Sequence, residues 1–115
     1  MKFEELKVWQ RSIRLCGDMC KTMATVKDSG FRNQITRSGL SIPSNIAEGY
    51  ERGSNKEVAS FLNYAKGSAG ELRTQIYIGM DIGYINRDTG ALWLKECEEI
   101  SRMLHGLIRA FRSAK

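Results

Sequence analysis

Four stretches of this chain space their apolar residues at alternating intervals of three and four, the mark of a helix with one buried face. No stretch competes as a strand. The first stretch, Phe3 to Val26, carries a row of Leu6, Trp9, Ile13, Cys16, Cys20 and Met23. The second carries Phe31, Ile35, Gly39, Ile42 and Ile46, and the third Val58, Phe61, Ala65, Ala69, Leu72, Ile76 and Met80. The fourth carries Trp93, Cys97, Ile100, Leu104, Leu107 and Phe111. Breakers separate them: Lys27-Asp28-Ser29-Gly30, Glu51-Arg52-Gly53 and Gly83-Tyr84-Ile85-Asn86-Arg87. Ser54 and Glu57 match a capping box at the third start, and Asp88 or Thr89 is the expected cap of the fourth. The expected helices cover about residues 3–26, 31–50, 54–82 and 88–112. Connections of a few residues leave one economical packing, an all-α, antiparallel up-down-up-down four-helix bundle filling a single domain over residues 1–115.

The second stretch holds the only proline, Pro43, in the middle of its helical rhythm. A proline there removes one backbone hydrogen bond, so one long helix with a bend is expected rather than two pieces. Gln34, Arg37, Ser41, Asn45 and Glu48 fall at spacings of 3, 4, 4 and 3 on its polar side. Counting outward from the turn near Arg52-Gly53 sets position 38 opposite about position 67. Ser38-Gly39 would then cross Gly67-Ser68-Ala69-Gly70 closely, with Arg37 and Glu71 as an ion pair beside the crossing. A helical glycine costs up to about 1 kcal/mol relative to alanine, which a close approach would offset.

The chain has 115 residues, a net charge of +5 and three cysteines. The charged opening Met1-Lys2-Phe3-Glu4-Glu5 is unlike a signal peptide, no run is apolar enough to span a membrane, and an odd cysteine count argues against a disulfide framework. A cytoplasmic address is expected. The positive charge favours anionic partners and resides in the terminal segments, with six basic and four acidic groups in residues 1–29 and the same in residues 86–115.

Gln34-Ile35-Thr36-Arg37, Ser41 through Gly49, Gly67 through Leu72 and the opening Phe3 through Gln10 together resemble the bacterial family of four-helix-bundle proteins encoded within intervening sequences of 23S ribosomal RNA genes. The accessory variability determinant of diversity-generating retroelements looks like a relative. The resemblance implies a homopentameric ring with a basic surface and no enzymatic activity. For the retroelement relatives it implies binding to nucleic acid and to a reverse transcriptase. The short turn at residues 27–30 departs from the longer, proline-containing connection common in the family.

Three constellations carry candidate chemistry. The stripe of Gln34, Arg37, Ser41, Asn45 and Glu48 around Pro43, with Gly67, Ser68 and Glu71 opposite, gathers carboxylates, hydroxyls and a guanidinium, which suits a ligand or catalytic site. The favoured reading is structural: these groups satisfy backbone freed by Pro43 or bond across the bundle or a subunit contact. Cys16, Cys20 and Cys97 with His105 would make a zinc set, but the cysteines lie on core rows, so no metal or cofactor is expected. No catalytic triad or Gly-rich phosphate loop occurs.

The third constellation is basic. Arg102, His105, Arg109 and Arg112 line one side of helix 4, and Lys7, Arg11 and Arg14 line helix 1. If neighbouring helices 1 and 4 join these into one positive face, it binds phosphates with little sequence specificity. The alternative is an ordinary solvated surface. The expected protein is a non-enzymatic, homo-oligomeric binder of nucleic acid, with structured RNA favoured; the alternative is an assembly adaptor for a protein such as a reverse transcriptase.

Overall fold

Backbone caps decide where each element begins. In the computed structural model, which describes residues 2–114, Leu6 is extended (φ −75°, ψ 127°) and splits the expected first helix. Phe3–Glu5 form a 3₁₀ turn, and α1 runs only from Lys7 to Met23. The break lets Leu6 bury itself and sets Phe3 edge-on to Trp9, with ring centroids 5.3 Å apart. Beyond Met23 the chain turns, and Val26 packs back against the core.

α2, Ser29–Arg52, starts where Asp28 accepts a hydrogen bond from Phe31 N and stops at Gly53, whose φ of 86° suits glycine. It is one helix running unbroken through a buried Pro43. α3, Asn55–Asp81, is capped by Ser54, which accepts from Glu57 N and donates to the Glu57 carboxylate. α4, Arg87–Ser113, is capped by Asn86 accepting from Thr89 N at 2.8 Å, not by Asp88 or Thr89 themselves.

Paired residues give the directions. Ser38 meets Glu71 and Ser41 meets Ser68, so numbers rise along α2 as they fall along α3. Lys66–His105 and Arg73–Glu98 run α3 against α4 in the same way. Arg11–Glu96 and Asp18–Trp93 do so for α1 and α4. The result is an elongated four-helix bundle of 48 × 20 × 20 Å.

Ile35, Ile42, Ile46, Leu62, Leu72, Ile76, Ile100 and Leu104 are buried along the axis, on the rows read for the last three helices or one residue beside them. In α1 the row is rotated. Val8, Ser12, Leu15, Cys16, Met19 and Met23 are buried, Trp9 and Cys20 are half-buried, and Ile13 is 42% exposed. The hydroxyl in the middle hides this row in the sequence. Ser12 tolerates burial because it donates to Trp9 O at 2.8 Å.

The small-residue crossing is also elsewhere. A Cβ on Gly39 would collide with Met19 Cε, so Gly39 admits α1, while Gly67 and Gly70 have nothing within 4 Å of that position. The close approach of α2 to α3 occurs at Gly49, where a Cβ would lie 2.8 Å from Phe61 Cβ and 3.3 Å from Val58 Cα.

Candidate nucleic-acid interface

The cations of α1 divide into tied and free. Arg11 donates from Nε to Glu96 Oε2 at 2.8 Å and from Nη2 to Glu96 Oε1 at 2.6 Å. That bond holds the Glu96 carboxyl below its usual range against the opposing effect of burial, and it raises the Arg11 guanidinium further. Asp18 accepts from Trp93 Nε1 at 2.8 Å farther along the same seam. α1 and α4 are thus joined by carboxylates, which interrupts the continuous positive face expected between them. Lys7 and Arg14 remain exposed. Lys7 borders an apolar trough of about 390 Å³ between these helices, lined also by Leu6, Val8, Met103 and Leu107, with Arg102 on the other side.

The α4 stripe turns toward α3 instead. Arg102, His105, Arg109 and Arg112 are all exposed. His105 Nδ1 is 3.2 Å from Lys66 Nζ. A lysine ammonium has no lone pair, so the contact is a hydrogen bond in which Lys66 donates and the neutral imidazole accepts. Lys66, Arg73, Glu98, Ser101, Arg102 and His105 line one groove of about 330 Å³. Arg73 reaches Glu98 at only 3.9 Å, and its Nε is buried with no hydrogen-bond partner among the described residues. Arg102 holds Glu99 at 3.1 Å with its side chain 71% exposed, a contact of little strength. Closer to the end of the bundle, Arg112 shares a second groove with Lys56. Tyr50 meets Phe111 edge-on at 5.6 Å and anchors the last turn of α4 to α2.

Lys56, Lys66, Arg73 and Ser101 were not among the expected site residues. A segment tally discounts the first three because acidic residues elsewhere in the middle of the chain balance them. Pairing α3 with α4 by counting outward from the middle of the Gly83–Arg87 breaker sets Lys66 opposite about position 104, beside His105.

The stripe beside Pro43 spends its polar groups internally. Ser38, 3% exposed, donates to Glu71 Oε1 at 3.1 Å, and the Ser41 and Ser68 hydroxyls share a bond of 2.8 Å. Asn45 Nδ2 donates to both Ser41 O and Ser41 Oγ. Arg37 is exposed and forms no ion pair with Glu71; Ser38, one residue on and turned inward, takes that carboxylate. Gln34 is exposed. Glu48 and Glu57 are bridged by Arg52, which bonds to each.

The thiols do not converge on His105. Cys16 and Cys97 are buried, and burial pushes both up to about 12, while His105 lies on the exposed side of α4.

The model of the 23S rRNA-intervening sequence protein family matches residues 4–106, nearly the whole bundle. The chain belongs to that family. A solved member-like structure is that of a protein of unknown function from the S23 ribosomal protein family of Bacteroides thetaiotaomicron VPI-5482, at 1.70 Å resolution. The two share 25% identity over 88% of this chain and 97% of that one, with a TM-score of 0.81. Comparison with curated proteins finds no match. Among its described residues the chain has no helix long and apolar enough to cross a membrane.

Proposed function

We propose that this protein is a non-enzymatic, cytoplasmic, homo-oligomeric binder of structured RNA that holds phosphates along the seam of α3 and α4. The observation that carries the reading is the groove lined by Lys66, Arg73 and Arg102, with Glu98 beside Arg73, Glu99 on Arg102, and His105 and Ser101 as further polar groups. Arg109, Arg112 and Lys56 extend the same positive surface toward the end of the bundle. Its groups sit on rigid helices and would make backbone contacts without reading bases, so shape and charge density select the partner. The resemblance supports a pentameric ring, which would carry five times the +5 charge of one chain.

The experiment is a fluorescence-anisotropy titration with a structured RNA and a matched DNA duplex at several salt concentrations, with the oligomer's mass measured in each buffer. A steep fall of RNA affinity with salt in an intact oligomer supports the reading. Absence of binding at low salt rejects it. One observation favours a second reading, a protein adaptor: the apolar trough of Leu6, Val8, Met103 and Leu107 would seat an apolar side chain of a partner such as a reverse transcriptase.

A further inference from the structure

From the Lys66–His105 contact we infer that the groove of α3 and α4 is a proton-linked clamp for a single phosphodiester, closed by protonation of His105 as the anion enters. The inference rests on the phosphate-binding reading above and adds to it a specific site and a dependence on pH.

Without a ligand, Lys66 Nζ lies 3.2 Å from His105 Nδ1 and donates to its lone pair. α3 presents Lys66 and Arg73 to the groove, and α4 presents Glu98 and Arg102, the latter held by Glu99 at 3.1 Å. Arg109 follows His105 by one turn on the exposed side of α4. A proton on Nδ1 would displace the bond from Lys66.

A phosphodiester oxygen reverses the balance. It accepts from Lys66 Nζ, which frees Nδ1, and a proton taken from solvent makes Nδ1–H a second donor to the same anion. Arg102 and Ser101 line the groove beside it, and Arg73 brings an Nε with no hydrogen-bond partner among the described residues. Charge-assisted bonds of this kind are shorter and stronger than neutral ones. Histidine is the side chain suited to such a change near neutral pH, since phosphodiesters, lysine and arginine keep their charge there. Ligand binding and proton binding therefore strengthen each other.

The chain contains one histidine, so its imidazole proton resonances report this titration alone. The full-length protein would be titrated by NMR from about pH 8 to about pH 5.5, alone and saturated with a short stem–loop RNA, a matched DNA duplex or inorganic phosphate. The inference predicts a midpoint at least about half a pH unit higher with the RNA. It also predicts that RNA affinity rises on acidification, by up to about tenfold per pH unit, which is the ceiling for one linked proton. H105Q, an exposed substitution that retains an amide donor and acceptor, should bind RNA with no such gain. An unmoved midpoint with bound RNA, or equal pH dependence in H105Q and the wild type, overturns the clamp while leaving RNA binding in place. A midpoint moved by inorganic phosphate but not by RNA overturns it in favour of small phosphate ligands. Failure of RNA to bind at every pH rejects the phosphate-binding reading together with the clamp.

Discussion

Arg11 and Glu96 face each other across two parallel hydrogen bonds and fasten the first helix to the last, with about 29% and 30% of their side chains exposed. A bidentate pair in partial shelter is worth more than an open surface ion pair, about 1 kcal/mol after screening. R11A should lower stability by roughly that amount at neutral pH in chemical denaturation. The Glu96 carboxyl titrates lower in the folded chain than in the unfolded one. The pair's contribution is therefore present above the unfolded carboxylate range and is lost as pH falls through the folded value. The difference between wild type and R11A should shrink over that acid range, and a double-mutant cycle with E96A should return the coupling. A constant difference down to the fully protonated state would show that Arg11 acts through packing alone.

Two helical glycines should respond to alanine with opposite signs. Gly67 has open space where a Cβ would go, so G67A should stabilise by up to about 1 kcal/mol through helix propensity. Gly49 has the Phe61 Cβ and the Val58 backbone of α3 against it, so G49A should destabilise by about 1–3 kcal/mol despite the same propensity gain. Melting temperatures of both variants would check the pair. A destabilised G67A would restore the close crossing expected at residues 67–70.

Native thiol reactivity should separate the cysteines. Burial keeps Cys16 and Cys97 protonated, with values up to about 12, whereas Cys20 is half-buried and accessible. Near neutral pH an aromatic disulfide reagent should modify one thiol rapidly and all three only in denaturant. Rapid loss of all three thiols in the native protein would mean that the α1 face opens readily.

The rows of apolar residues were enough to read four helices, because spacing encodes a buried face directly. They did not show which of two adjacent rows in α1 turns inward. Ser12 occupies the true row, and its burial depends on a bond to Trp9 O that no pattern reports. Counting from the Arg52-Gly53 turn set Ser38 opposite about position 67, whereas Ser38 meets Glu71 and Ser41 meets Ser68, an offset of about one helical turn. That offset misassigned the close contact to Gly67, since only side-chain direction distinguishes Gly49 from it. The basic residues of α4 were legible as a stripe. Their neighbours were not, because Glu96 and Asp18 close the α1 side and Lys66 opens the α3 side through contacts between residues far apart in sequence.

The central claim is that phosphates are held between α3 and α4 and not on the face of α1. Its most direct test is RNA affinity and its salt dependence for two double charge reversals, K66E/R102E on the groove and K7E/R14E on α1, with oligomer mass and melting temperature checked for each. The claim predicts a loss of about tenfold or more for K66E/R102E, with a log–log salt slope shallower by about 1–2 contacts, and a clearly smaller loss for K7E/R14E. Equal losses from the two pairs, or a larger loss from K7E/R14E, would contradict it.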